Sequence, residues 1–251
     1  MPSNVSLAAG VIYVDAGALA NLERTLLALR IARVLGVPAV RPAHYASRAA
    51  MVRDLFGGDG TQQLHGMSEL EIALALSHRK ALRRLAHERA RWVAVFEEDA
   101  ALHPRLTPER ATSLLHSSLR GSRFVYLGAC RPSCPSTPGC YAYCTHAYAM
   151  EHAWAATFFY DVYCSGAAHD AAQTSPCGAH CRTQLCQTDQ QFVRYFRRVP
   201  NATVAAIWYA SPDVPGHRGL FYQPRNRTHS GTNLGDVRSH TGVRDVRGQR
   251  S

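Results

Sequence analysis

Residues Trp92-Val93-Ala94-Val95-Phe96 form an unbroken apolar run that stops at three consecutive acids, Glu97-Glu98-Asp99. The run is too short for a helix and is apolar on both faces. It therefore reads as a central strand covered on both sides, the kind found in the sheet of an α/β domain. Ser68–His87 lies just upstream. Ser68 and Glu71 form a capping box there: the hydroxyl takes an orphan N–H at the helix start and the carboxylate accepts from the cap residue in return. The run and the helix predict a helix–strand unit whose strand ends in charge.

The remaining chain extends the pattern. Gly10–Asp15 reads as a short strand ending in an acid. Leu22–Leu35 reads as a helix, with Leu22, Leu26, Leu29 and Ala32 at helical spacing and Gly36 as its stop. Val37–Val40 reads as a second strand, so the opening is strand–helix–strand. Arg41–Met67 is a poorly periodic connector. Pro108–Leu119 is a helix capped by Thr107, with proline in its first turn. Arg123–Gly128 is a strand, and Thr145–Phe159 a strand running into a helix. Thr188–Arg197 is a helix opened by a second capping box, Thr188 with Gln191. Ala202–Tyr209 is a strand. The 251 residues suit one domain or two small ones. The expectation is a single domain over 1–231, with a Cys-rich segment (130–186) inserted and a polar, Gly/Arg-rich disordered tail at 232–251.

Charge narrows the partners. The formal net charge is +10, yet Lys80 is the sole lysine among 28 basic residues, and the arginines are scattered. No basic stripe with interleaved aromatics is present, so nucleic acid is not the expected partner, and an anionic small substrate suits the charge better. No stretch approaches the length of a membrane span. Cys130, Cys134, Cys140, Cys144, Cys164, Cys177, Cys181 and Cys186 lie in one local cluster. Disulfides and zinc both stay open, and the spacings favour disulfides. Sequons at Asn4, Asn201 and Asn226 lean the same way, toward the lumen of the endoplasmic reticulum or Golgi, although no signal peptide is visible.

The acids carry the chemistry. In extended chain Glu97 and Asp99 share a face and Glu98 points away. Two adjacent carboxylates repel unless a cation or proton lies between them. Ligands of open α/β sheets bind beyond the carboxyl ends of strands. A divalent ion held there by one or two carboxylates and a substrate diphosphate fits the pattern. A solvated acidic loop is the plain alternative.

The helix Glu69–Leu82 carries Ser77-His78-Arg79, and the acids follow one strand later. This order resembles glycosyltransferase family 25, which includes bacterial lipooligosaccharide galactosyltransferases and procollagen galactosyltransferases. Glu71, Ser77 and His78 match the family's helix pattern, with Ala73 in place of its glycine, and the acids read Glu-Glu-Asp where Glu-Asp-Asp is commoner. Val125-Tyr126-Leu127-Gly128, Thr145–Met150, Thr188-Asp189-Gln190-Gln191, Ala206-Ile207-Trp208 and Gly219–Gln223 follow in the family's order. Val11–Val14 resembles its opening strand, while Asn21-Leu22-Glu23-Arg24 is displaced from that strand by a short insertion. The likeness spans residues 10–225.

The resemblance implies a Rossmann-like nucleotide-diphospho-sugar transferase domain of glycosyltransferase A type. It implies a UDP-sugar donor, a manganese or similar divalent ion, and inverting transfer, of galactose or a related sugar, to a glycan or glycoprotein hydroxyl. Glu97 and Asp99 are the metal candidates, with Glu98 as reserve ligand and second catalytic candidate. Asp189, at a helix start, is the candidate base. His78, Arg79 and His146 are candidates for the diphosphate side, although a single histidine on a helix is more often structural. The competing reading is an inactive Cys-rich binding domain on the same scaffold.

Overall fold

The computed structural model describes residues 6–56, 67–120, 122–130, 143–164, 192, 195–196, 204–206 and 217–223. Within these, the protein is a mixed α/β domain with a parallel-rich central sheet. Its strands are β1 (Leu7–Tyr13), β2 (Arg33–Pro38), β3 (Trp92–Glu97), β4 (Ala101–Leu102), β5 (Phe124–Cys130), β6 (Tyr143–Glu151), β7 (Val204–Ala206), β8 (His217–Gly219) and β9 (Phe221–Tyr222). Its helices are α1 (Ala16–Ala28), α2 (Arg48–Phe56), α3 (Glu69–Leu85), α4 (Pro108–Leu119) and α5 (His152–Cys164). None is long and apolar enough to cross a membrane.

The main sheet runs β2-β1-β3-β6-β5-β7, with β8 also paired to β5. β1 pairs in parallel with β2 on one side and β3 on the other, while β6 runs antiparallel to both β3 and β5. The chain therefore leaves β1 toward one edge and returns to its other flank as β3. That reversal makes the carboxyl ends of β1 and β3 a topological switch point, where open α/β sheets form their ligand crevice.

Alternation along the strands divides the core into two layers. Ala8, Ile12, Val93 and Val95 face α2, α3 and α5, and Leu7, Val11, Trp92, Ala94 and Phe96 face α1 and α4. β3 is thus buried on both faces, as its unbroken apolar run requires. Phe192 and Phe196, two of the three described residues of the helix expected over 188–197, pack on Phe124 and Phe158.

Several boundaries differ from expectation. Asp15 does not end a strand: its side chain accepts from Ala18 N–H at 2.7 Å and caps α1, which begins at Ala16. The first helix stops at Ala28, followed by Arg30 in the left-handed region (φ 60°). Gly36 therefore sits inside β2, where a Cβ would come within 2.9 Å of Leu19. It reads as a helix stop only when this close approach is unseen. The connector 41–67 contains α2, whose Met51, Val52 and Leu55 are buried. The short β4, β8 and β9 were not expected as strands. The insertion between Cys164 and Phe192 and the tail lie outside the described residues, as do five of the eight cysteines.

Two glycines let β8 and β9 close against the sheet. A Cβ on Gly128 would lie 2.2 Å from His146 Nε2 and 2.7 Å from the Phe221 carbonyl oxygen. Gly219 has φ +135° and its Cβ would meet the Leu127 carbonyl at 2.5 Å. Because backbone and a fully buried ring oppose the added methyl, Gly128→Ala is expected to destabilise the protein by about 1–3 kcal/mol. Urea denaturation measures this, and unchanged stability would mean that β8 and β9 do not pack as described.

Candidate functional site at the exits of β1 and β3

The three acids at the end of β3 take three different sets of partners. The register pairs Ile12 with Glu97, and Glu98 N–H extends the ladder by donating to the Ile12 carbonyl at 2.9 Å. The Glu98 carboxylate then turns toward β1. One of its oxygens accepts from the backbone N–H of Val14 at 2.7 Å and of Asp15 at 2.8 Å. Those N–H groups lie between the end of β1 and the start of α1, where the strand ladder no longer supplies acceptors. Glu98 thus ties the two strand exits together.

Glu97 follows the alternation of β3 onto the α3 side of the sheet. His78 Nε2 lies 3.3 Å from Glu97 Oε1, and His78 Nδ1 lies 3.1 Å from the Tyr148 hydroxyl. The histidine is fully buried and its ring stacks near Tyr148 at 5.7 Å. α3 is held in register by its neighbouring residue: Ser77 Oγ accepts from Val40 N–H and donates to the Ala73 carbonyl, both at 2.8 Å. The Ser-His pair therefore works as a unit. Ser77 pins the helix to the chain leaving β2, and His78 reaches the acid.

Asp99 begins the turn into β4. Since β4 pairs antiparallel with β9, Ala101 opposite Tyr222, the residue after β9 comes back over the acid. Gln223 Nε2 donates to both Asp99 carboxylate oxygens, at 3.2 and 3.4 Å. Burial raises the Asp99 proton affinity most, and the Glu97 charge adds to it, while the Gln223 hydrogen bond opposes both. The net result is a carboxyl group pushed up to about 7.

The other candidates are placed as follows. His146 lies at the same end of the sheet, since Phe96 pairs with Ala147. Its ring is fully buried, with Nε2 3.4 Å from the Phe221 carbonyl oxygen. It lines the packing beneath β9. Arg79, adjacent to His78, is rotated about 100° around the helix and pairs with Asp54 at 3.6 Å, away from Glu97. Asp189 lies outside the described residues. Sequence reasoning did not assign roles to Tyr148 and Gln223. An aromatic in a strand and an amide after one carry no signal that they meet a histidine 70 residues and an aspartate 124 residues distant.

No protein-family model matches the chain, and a search of curated proteins found no match either. The chemistry must be read from the geometry. Among the described residues, no group of three or more His, Cys, Asp or Glu side chains is arranged as a metal cage. What is present is a pair of neighbouring carboxylates whose mutual repulsion and burial favour uptake of positive charge, either a proton or a cation.

The Asp99 shift has a pH consequence. Its folded-state value lies above the unfolded value near 4, so its contribution to stability is fully present below about pH 4. That contribution is lost as pH rises through about 7. In EDTA, Asp99→Asn is therefore expected to stabilise the protein by about 1–3 kcal/mol at pH 8 and to be near neutral at pH 4. Denaturation curves at the two pH values check this. Equal effects at both would show that Asp99 ionises normally in the folded protein.

Proposed function

We propose that the chain is a metal-dependent glycosyltransferase with a glycosyltransferase A-type domain. It moves a hexose, galactose by its resemblance to family 25, from a UDP-sugar to a hydroxyl of a glycan or glycoprotein, with inversion. One observation carries the reading: two interacting carboxylates, Glu97 and Asp99, at the switch-point end of a fully buried strand. The Ser77-His78 pair and the order of the remaining segments support it.

The residues suit a hard divalent ion, whose usual protein ligands beside a substrate diphosphate are one or two carboxylates. Asp99, with its raised proton affinity, and Glu97 would hold it. When bound, such an ion neutralises charge that develops on a departing diphosphate. The protein's own groups do the rest. Glu98 fixes the β1 exit against β3, so the two walls of the crevice cannot separate without losing two charge-assisted hydrogen bonds. His78, oriented by Tyr148 on one nitrogen, sets the position of the Glu97 carboxylate through the other. Gln223 orients Asp99 from the opposite side.

An inverting displacement forms the bond from acceptor oxygen to sugar C1 as the bond from C1 to the phosphate oxygen breaks, and the acceptor proton passes to a carboxylate. Asp189 is proposed as that base. It precedes Phe192 by three residues, and Phe192 packs edge-on against Tyr148 at 5.3 Å.

The expected result is UDP-galactose turnover that needs manganese, with Asp99→Ala lowering kcat/KM at least 100-fold, about 3 kcal/mol of transition-state stabilisation. UDP and manganese together should raise Tm by several degrees, more than either alone. Absence of both turnover and the joint Tm shift would leave the competing binding-domain reading in its place. Full activity of Asp99→Ala would remove the acid pair from the reaction.

A further inference from the structure

A second feature lies on the outer side of α3, away from the acids. A cavity of about 580 Å³ opens between α3, the turn Pro42–His44 and α2. That volume falls in the range of small-molecule sites. Its wall is cationic: Arg79, Lys80, Arg83 and Arg84 all line it, together with His44 and His87. The helix spacing explains the convergence, because Arg79 and Arg83, and Lys80 and Arg84, are i,i+4 pairs on one face.

Like charges at that spacing disfavour the helix, so the arrangement needs a reason. Part of it is structural. Lys80 Nζ donates to the Pro38 carbonyl and Arg84 to the Gly36 carbonyl, each at 3.1 Å. These two side chains cover the open edge of β2, which would otherwise offer unpaired groups to another strand. Arg83 is exposed and has no such task. Among the described residues, Lys80, Arg83 and Arg84 have no carboxylate partner. Among the described residues the one acid in the cavity wall, Asp54, is already engaged by Arg79 and by the Tyr45 hydroxyl. Three side chains that retain donors thus face one concavity. Val40, Leu76 and the Tyr45 ring give it an apolar part as well.

We propose that this cavity binds a small, multiply charged phosphate ester, with Lys80, Arg83 and Arg84 holding the phosphates and Tyr45, Val40 and Leu76 accepting the organic portion. Guanidinium forks suit phosphate oxygens because they donate two parallel hydrogen bonds. The proposal is independent of the sugar-transfer reading: it uses neither the acids nor a metal. Duplex nucleic acid fits less well, since the cations line a single cavity rather than a stripe.

The test is calorimetric titration of inorganic pyrophosphate into the full chain, in EDTA at constant ionic strength. Saturable one-site binding is expected. Arg83→Glu should weaken it at least tenfold. Arg110→Glu, the same charge change at an exposed site on α4, should leave it within twofold of the parent. Lack of saturable binding would overturn the proposal. So would an equal loss in Arg110→Glu, which would mean a general charge effect. Binding that survives Arg83→Glu unchanged would place the anion elsewhere and overturn it too. Tighter binding of duplex DNA than of pyrophosphate, growing with DNA length, would assign the surface to nucleic acid instead.

Discussion

The Glu98 carboxylate sets the geometry of the crevice. Where a parallel strand ends, its last N–H groups lose the neighbour that satisfied them, and unpaired backbone at a partly buried exit is costly. In this protein the cost is met by a side chain from the adjacent strand. Val14 and Asp15 both donate to one oxygen of Glu98, and Asp15 in turn caps α1. The exit of β3, the exit of β1 and the start of α1 thereby become one rigid unit. The positions of Glu97 and Asp99 follow from it, because both are covalent neighbours of the anchored residue.

This arrangement also shows how three adjacent carboxylates coexist. Each is given a different electrostatic environment. Glu98 faces two N–H donors, Glu97 faces His78, and Asp99 faces an amide, with burial raising its proton affinity. The division follows from backbone geometry: the strand alternates through Glu97 and then turns, so Asp99 takes up the Gln223 amide while still feeling the charge of Glu97. A loop of three solvated acids would show no such separation.

Much of this was legible beforehand, and the reason is local. The apolar run of β3, the capping box of Ser68 with Glu71 and the proline-started α4 are signals contained within a few residues, and the elements they mark appear where expected. The errors also have a common origin. An acid at position 15 fits a strand end as well as a helix cap until its partner at Ala18 is seen. Gly36 resembled a helix stop because the contact that excludes a side chain comes from Leu19 and Tyr13. The site partners Tyr148 and Gln223 are set by strand pairings across the whole chain, which no window of sequence contains. The acids could be named, but the groups that tune them could not.

The helix α3 links these levels. Successive residues on it serve three directions: Ser77 fastens the exit of β2, His78 reaches through to Glu97, and Arg79 turns outward to Asp54. Lys80, the next residue, and Arg84, one turn beyond it, cover the sheet edge. A one-residue change in helical phase would carry each group about 100° from its partner. It would also place His78, now fully buried, against something other than a carboxylate and a hydroxyl. The capping box at Ser68 and Glu71 fixes where the helix starts, and so which residue occupies each direction. The N-terminal cap, ten residues from the acid-facing histidine, is therefore part of what positions the site.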